Sequence, residues 1–448
     1  MSIDEETKLG KEFLLSVNKE LTIIDDPFVN EYLSDLGNYI GQFQDTKPFD
    51  LDFYVAKNSE LNAFAGPAGH LFFYSGIINA MDEVDELASV ISHEIGHVTA
   101  RHLAGQQDKY SKVAFGTLAG MLAGVLIGGD AGEALMVGSS AAAQQAMLSY
   151  SRDDEREADQ LGFKKAYLAG FKPDAFIKAL ARLQQSQWGS EQIPAYLSTH
   201  PVDSERMSNL EIISRQYSGS NNTEKAEYFR RLYPLFRTII KAQSIDPKDA
   251  ERYFSSELEK SPDSSLAQFG LGIALQKRGD YDNAIAHYSA ALEGMTEKAS
   301  VLRYMGEAYH QKGQTPDAIK TFEKALAINS KDKYTLYLLA STYQEAEDYA
   351  KAENIYDRLT LMDPVKDDVF YNLGLCLGRE NKLASAHYNF GVYFKRMGDR
   401  DNADFHFKKA GELAGADQAL QDKIKKEMEE MKKDDKGKKQ QQPPGSGS

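Results

Sequence analysis

The stretch His93-Glu94-Ile95-Gly96-His97 has the residue types and the spacing of a metal-dependent hydrolase site. Residues four apart on an α-helix lie on one side of it, about one turn from each other. Two histidines at that spacing can therefore bind the same metal ion. Glu94 projects close enough to reach a water on that metal without being a ligand itself. The pattern predicts a zinc site in which two neutral nitrogens hold the ion and a carboxylate takes a proton from the water.

The residues around this motif predict a helix that packs into a core. An apolar stripe at helical spacing runs along it and consists of Leu87, Ile91, Ile95 and Val98. The two histidines lie roughly opposite this stripe, so we expect them on a separate face. A five-residue motif with two free positions also occurs by chance on helix surfaces. The apolar stripe favours the metal site over that alternative.

A second charged segment, from Ser151 to Asp159, predicts the rest of the metal site. Glu155 and Asp159 are four apart and therefore face the same way on a helix. We expect Glu155 to be the third zinc ligand and Asp159 to accept the free N–H of a ligating histidine. The alternative is a charged helix surface exposed to solvent.

Two further histidines have different predicted roles. Three-histidine zinc sites need a glycine and a histidine where this chain has Ala100 and Leu103, so His102 is one residue off and is expected to be structural. His200 lies at a predicted loop-to-helix junction that could fold over a cleft. There it could stabilise an oxyanion or act as an additional zinc ligand. Arg206 could hold a substrate carbonyl or contact the region of the third ligand, and spacing leaves these alternatives open.

The chain before the histidines predicts amphipathic helices within residues 4–45 and three strands, at 49–56, 63–64 and 70–74. The stretch Asn62-Ala63-Phe64, at the second strand, is followed by further small residues. A small-residue edge strand beside a cleft would let an extended peptide add to the sheet as another strand. An ordinary hairpin is the alternative.

Composition and charge narrow the function classes. The chain has 448 residues, of which 42% are hydrophobic and 27% charged, as is typical of a soluble globular protein with two or three domains. The net charge of −15 argues against nucleic acid as a partner. The single cysteine, Cys376, excludes an internal disulfide. The first residues lack the features of a secretory signal, so we expect either a cytoplasmic protein or one whose signal has been removed.

An uncharged segment, Val113 to Gly128, follows the metal helix and has glycine at every fourth position from residue 116. That spacing lets another helix approach closely, and residues 134–148 could supply the partner. The segment is shorter than the roughly 20 residues that span a bilayer. We expect a close helical hairpin that could touch a membrane surface.

A repeat with a period of 34 residues begins near residue 250. Small residues recur at positions 272, 306, 340 and 374, and aromatic residues recur at 288, 322, 356 and 390. This is the tetratricopeptide pattern, in which small residues let two helices touch and aromatics fill the space towards the next repeat. A later unit matches only after a shift of 17 residues, which predicts one helix shared by two repeats.

Four segments within about the first 215 residues together resemble the HtpX and CAAX-prenyl-protease type of zinc metallopeptidase; they are residues 62–65, 93–98, 155–159 and His200-Pro201 with Arg206. The resemblance implies that His93, His97 and Glu155 bind one zinc ion and that Glu94 is the general base and acid.

The same resemblance implies roles for the remaining residues. His200 and Arg206 would contact the oxyanion or the substrate, and His200 could cap the zinc in a resting state. The substrate would lie along the strand near Ala63 and Phe64. The resemblance also implies a periplasmic location and a role in the quality control of outer-membrane proteins.

We therefore expect a mostly α-helical chain, with a gluzincin-type metallopeptidase domain that contains a small β-sheet, followed by an α-solenoid. The expected domains are a peptidase domain at 1–220, a linker with a degenerate repeat at 221–262, tetratricopeptide repeats at 263–415, and a cap helix with a disordered tail at 416–448. The expected function is zinc-dependent cleavage of unfolded or misassembled polypeptides, with the repeats binding substrate or a protein partner such as the outer-membrane assembly machinery. The alternative is a chaperone or scaffold with a latent, self-capped zinc site.

Overall fold

The computed structural model describes residues 1–43, 46–105, 119–120, 122–124, 127, 150–185, 194–217 and 221–440, with side chains to residue 432. These residues form two compact units that divide between Arg278 and Gly279. The predicted helical hairpin joins residues 113–128 to residues 134–148. Most of the first segment and all of the second lie outside the described residues. Within the described part of the chain, no helix is both long enough and apolar enough to cross a membrane.

The first unit is built on a three-stranded sheet with the strand order β1-β3-β2. Strand β1 covers Asp52–Ala56, β2 covers Ala63–Ala65, and β3 covers His70–Tyr74. β1 is parallel to β3, whereas β2 is antiparallel to it, with Phe64 opposite Phe72. The predicted strands are confirmed. Strand β2 lies at the end of this order, beside the helix that carries the histidines.

Two N-terminal helices cover this sheet as the apolar spacing predicts: α1, Ile3–Glu20, and α2, Pro27–Gly41. Phe13 of α1 packs edge-to-face against Phe64 and Phe72, with ring centroids 6.5 and 6.1 Å apart. This aromatic cluster fixes the position of β2 from the side of α1.

A short helix, α3 (Ser75–Ala80), leads into the helix of the metal motif, α4 (Val84–Ala100). A reciprocal capping box between Glu83 and Glu86 begins α4. Residues 84–98 of α4 are all buried, so the helix has no solvent-facing side along that stretch. The face opposite the predicted apolar stripe packs against a second helix, which carries Glu155.

The remaining helices of the first unit follow in chain order. They are α5, His102–Gly105; α6, Arg152–Leu168; α7, Ala175–Gln185; α8, Ala195–Thr199; α9, Ser204–Gln216; α10, Glu224–Ser244; α11, Pro247–Lys260; and α12, Ser265–Lys277.

Helix α10 lies in the segment that was predicted to be a linker, and it packs on α2, α3 and α4. Arg230 of α10 donates to both carboxylate oxygens of Asp85, in the first turn of α4, at 2.7 and 2.9 Å. Burial raises the pKa of Asp85, but Arg230 and the Lys172 amide outweigh it, so the pKa lies below its ordinary value. Tyr233 of the same helix donates to the Met81 carbonyl at 2.9 Å. Helix α10 therefore holds the start of the metal-motif helix.

The second unit consists of paired helices and ends in a cap helix. They are α13, Tyr281–Gly294; α14, Lys298–Gln311; α15, Thr315–Ile328; α16, Lys333–Glu345; α17, Tyr349–Thr360; α18, Asp367–Arg379; α19, Leu383–Arg396; α20, Arg400–Leu413; and α21, Gln418–Gln440.

The small residues of the repeat allow close packing within each helix pair. A Cβ built on Gly306 would lie 2.6 Å from the ring of Phe322, and one on Gly374 would lie 2.7 Å from the ring of Phe390. Gly391 makes the same contact with Phe407 at 2.6 Å. Because Phe390 and Gly391 are neighbours on α19, this helix is the second member of one repeat and the first of the next, as the 17-residue shift predicts.

Candidate metal centre

Helices α4 and α6 pack unusually closely because a glycine on each helix faces the backbone of the other. A Cβ on Gly96 would lie 2.8 Å from the Ala158 carbonyl oxygen, and one on Gly162 would lie 3.1 Å from the His93 amide nitrogen. This approach brings Glu155, near the start of α6, next to the two histidines of α4. Gly96 is therefore needed for the geometry of the site.

Gly96→Ala is expected to destabilise the fold by about 1–3 kcal/mol, because the new methyl group must push α6 away from α4. The same displacement would move Glu155 away from the histidines, so zinc affinity should fall as well. Urea unfolding and a chelator competition assay measure the two effects. Gly105→Ala is the matched control, because no atom of the described residues lies within 4 Å of its added Cβ. Equal effects of the two substitutions would contradict the predicted role of Gly96.

Four buried side chains bring their donor atoms together at this contact. His93, His97, Glu155 and His200 each offer one ligand atom, and these atoms all lie within 4.8 Å of one another. Nε2 of His93 is 3.1 Å from Nε2 of His97. The Glu155 carboxylate oxygens lie 3.5 Å from the first of these nitrogens and 3.4 Å from the second.

This donor set fits one zinc ion. Two ligands bound at the usual zinc distances in a tetrahedral site are about 3.4 Å apart, close to the separations observed here. Two imidazole nitrogens and a carboxylate are also a donor set of catalytic zinc. His93, His97 and Glu155 would hold the ion, and Nδ1 of His200 lies near the fourth position, 3.3 Å from Nε2 of His93.

A buried pair of charged side chains supports the ligands. Nδ1 of His93 is 2.9 Å from a carboxylate oxygen of Asp159. Arg206 donates to both oxygens of Asp159 at 2.8 Å and lies 2.5 Å from Glu155. Arg206 was predicted to contact either a substrate carbonyl or the region of Glu155, and the structure places it beside Glu155. Its contact with substrate stays a prediction.

The charges of this network determine the protonation of the ligands. Burial lowers the pKa of His93, but Asp159 and Glu155 outweigh it and raise the value to about 9. Burial raises the pKa of Glu155, but the electrostatic interactions with His200 and Arg206 outweigh it and hold the value well below its ordinary range. Burial lowers the pKa of His97. Glu155 is thus held as a carboxylate, the form in which it could bind zinc.

Glu94 lies between the metal ligands and the edge of the sheet, and it is fully buried. Burial raises the pKa of its carboxyl, whereas His200, His93 and the backbone amide of Ala65 lower it. The amide of Gly66 bonds to His70 and the carbonyl of Asn62 accepts from Tyr74. Because hydrogen bonding alternates along an antiparallel strand, the backbone groups of Ala63 and Ala65 point away from β3, on the side of Glu94.

His200 is enclosed by aromatic rings that its sequence context did not reveal. The ring of Tyr196 stacks on the ring of His200 with 4.6 Å between centroids, and the ring of Tyr150 stacks on His200 with 5.3 Å between centroids. Tyr150 also stacks on His97 at 3.8 Å. The amide of Tyr196 donates to the Leu61 carbonyl at 3.0 Å, which ties the His200 segment to the start of β2. The Tyr150 contacts join distant parts of the chain, so no local spacing predicts them, whereas Tyr196 lies four residues before His200, at the spacing of neighbours on one side of a helix.

The model of peptidase family M48 matches residues 30–214, which span all the residues of this centre. Residues 30–214 are a peptidase family M48 domain. Tetratricopeptide repeat models match residues 263–331, 297–360, 337–387 and 384–417 behind it. The M48 domain, the buried donor set and the relatives below make the chain a zinc-dependent metalloendopeptidase, and the predicted fold class is confirmed.

Several similar proteins are named as proteases. A beta-barrel assembly-enhancing protease of Yersinia pestis is 27% identical over 370 residues, which cover 81% of this chain and 75% of that protein. A putative beta-barrel assembly-enhancing protease of Vibrio cholerae is 30% identical over 292 residues, which cover 63% of this chain and 59% of that protein. The metalloprotease LoiP of Escherichia coli is 28% identical over 194 residues, which cover 41% of this chain and 71% of LoiP.

Proposed function

We propose that the chain is an endopeptidase that cleaves unfolded or misassembled polypeptides in the quality control of the bacterial envelope. The observation that carries this proposal is the buried set of three zinc donors, His93, His97 and Glu155, with the carboxylate of Glu94 beside it. The names of the similar Yersinia and Vibrio proteins, which refer to the assembly of β-barrels, support this substrate class and a periplasmic location.

Glu94 is proposed as the general base and acid. Zinc, when bound, lowers the pKa of a coordinated water toward about 7 and polarises a peptide carbonyl. Glu94 takes a proton from the attacking water on its carboxylate and returns it to the leaving amine nitrogen. Burial supports this role, because the resulting rise in the pKa makes the carboxylate a stronger base.

The substrate is proposed to bind as an additional strand along Asn62, Ala63 and Phe64. Ala63, Phe64 and Ala65 are buried in this structure, and the Tyr196 amide ties the His200 segment to Leu61 just before them. The proposal therefore requires the His200 segment to move aside before the backbone groups that point away from β3 pair with an extended peptide. Because Ala65 faces Glu94, a peptide on this edge would pass the catalytic carboxylate. A peptide backbone held in this way needs no particular side chain, which suits an enzyme that acts on unfolded chains.

His200 is proposed to cap the site in its resting state and to move aside when substrate binds. Catalytic zinc keeps one position open beside three protein ligands, and His200 lies near that fourth position. Once displaced, its imidazole can donate to the oxyanion that develops on the substrate. Asp159 and Arg206 hold His93 and Glu155 in place throughout.

The repeats are proposed to bind a protein partner or the substrate itself. Tetratricopeptide arrays present extended surfaces to other polypeptides. The outer-membrane assembly machinery is the partner suggested by the names of the similar proteins. The capped position of His200 also favours a second candidate function, that of a chaperone or scaffold whose zinc site is latent.

Removal of zinc tests the proposed enzyme directly. Dialysis against a chelator is expected to lower casein cleavage by at least about 100-fold, because both Lewis acid and activated water are lost. One equivalent of zinc per chain should restore the activity, whereas magnesium should not, since two imidazoles and one carboxylate suit zinc. Cleavage that continues unchanged in the metal-free protein would refute the proposal.

A further inference from the structure

The two histidine ligands are supported in different ways. Nδ1 of His93 faces the carboxylate of Asp159, whereas Nδ1 of His97 lies 2.8 Å from Nδ1 of another histidine, His102. The rings of this second pair meet edge-to-face at 4.9 Å between centroids. His102 is buried and does not belong to the four-residue donor set. Its contact with His97 is therefore available for a role other than metal binding.

The backbone at Arg101 turns His102 back toward His97. On a continuous helix, a residue five positions after His97 would point about 140° away from it. Arg101 instead adopts φ 54° and ψ 44°, a left-handed conformation that ends α4. Its guanidinium is held by Glu6 at 2.7 Å. A tethered residue in an uncommon conformation thus produces the contact between the two histidines.

The chemistry of the pair determines where its protons lie. A neutral His97 that binds zinc through Nε2 carries its proton on Nδ1, so Nδ1 of His102 must accept it. Nε2 of His102 then carries a proton and lies 3.3 Å from a carboxylate oxygen of Glu157. Asp154 is further away, at 3.8 Å. The result is a continuous chain from the Glu157 carboxylate through His102 to His97.

We propose that His102 is a positioning residue for zinc, which fixes the tautomer and the ring orientation of His97 and is itself oriented by Glu157. The proposal rests on the zinc site of the proposed function. Partners of ligating histidines orient the ligand and raise its basicity, so their loss weakens metal binding about 10–100-fold.

The zinc dissociation constant of the full chain, measured by competition with a chromophoric chelator, tests this role. His102→Ala is expected to weaken zinc binding about 10–100-fold. His102→Asn should recover most of that loss, because its amide oxygen can accept the same proton from His97. Glu157→Gln, which keeps an acceptor but loses the charge, should show an intermediate loss. His70→Ala removes another histidine, 3.2 Å from Asp52, and as the matched control it should leave zinc affinity unchanged.

Zinc affinity of His102→Ala within about twofold of the wild type would overturn the proposal. An equal loss in the folded Ala and Asn variants would also overturn it, because the effect would then come from packing. If His102→Ala does not fold, wild-type affinity of Glu157→Gln overturns the proposal, and weaker affinity of Glu157→Gln with near-normal affinity of His102→Asn supports it. A wild-type chain that binds no zinc would instead refute the metal centre of the proposed function.

Discussion

Glu94→Gln is expected to lower the rate of casein cleavage about 10²–10⁴-fold, while one zinc ion stays bound per chain. The amide of Gln has nearly the shape of the carboxylate but cannot take a proton from water at neutral pH. Zinc binding should survive, because the ligands are His93, His97 and Glu155. Cleavage is measured by release of soluble peptides, and zinc content is measured on the same samples by metal analysis.

Glu211→Gln is a suitable control for the loss of a single glutamate. Its carboxylate is 54% exposed on α9 and pairs with Arg215 at 3.7 Å, so activity should be unchanged. Equal cleavage by Glu94→Gln and the wild type would contradict the assigned role.

The Glu94→Gln variant also separates the two candidate functions, since a chaperone or scaffold would keep its suppression of aggregation without any proteolysis. His200→Ala should raise cleavage where release of the cap outweighs the lost oxyanion contact, so a rise assigns the histidine mainly to the cap and a fall assigns it mainly to the oxyanion.

The parts of the site that the sequence predicts are those set by the period of a helix. His93, Glu94 and His97 are on one helix, so their spacing alone places them on one side of it. Glu155 and Asp159 follow the same rule on α6, although only the packing of Gly96 against Ala158 brings the two helices into contact. The repeats are equally predictable from the sequence, because each unit repeats the same local contact between a small residue and an aromatic ring.

The parts that the sequence does not predict depend on contacts between distant segments or on unusual backbone conformations. Tyr150 stacks on His200, 50 residues further along the chain, and nothing in its local sequence indicates that contact. His102 reaches His97 only because Arg101 adopts a left-handed conformation, which is uncommon for arginine. Helix α10 lies in the segment predicted as linker and degenerate repeat, and its pairing of Arg230 with Asp85 joins residues 145 positions apart, which no local pattern indicates.

Arg206→Met is expected to lower the free energy of unfolding of the metal-free protein by about 3–5 kcal/mol, because it removes the guanidinium that pairs with two buried carboxylates. Glu155 and Asp159 are each only 3% exposed, so water cannot replace the lost guanidinium. Arg206→Lys should recover part of the loss, since an ammonium restores the charge but cannot bond to both oxygens of Asp159 in the same way. Urea unfolding at pH 7 measures these differences.

Arg215→Met on the same helix is the control for the loss of an arginine. Its side chain is 80% exposed, and its loss should change the free energy of unfolding by less than about 0.5 kcal/mol. A similarly small effect of Arg206→Met would contradict the prediction, and it would mean that the carboxylates are compensated in another way.

The pH dependence of unfolding identifies the cause of the Arg206→Met defect. Burial raises the pKa values of Asp159 and Glu155, but their histidine and Arg206 partners outweigh it and hold both below their ordinary values of 3.8 and 4.5. A lowered pKa stabilises the fold above the unfolded value, and this stability is lost as the pH falls through the folded value. The wild-type advantage over Arg206→Met should therefore be constant from about pH 5 to 8 and shrink as the pH falls below about 4. A defect that stays constant at low pH would instead indicate lost packing of the arginine side chain, because packing does not depend on the charge of the carboxylates.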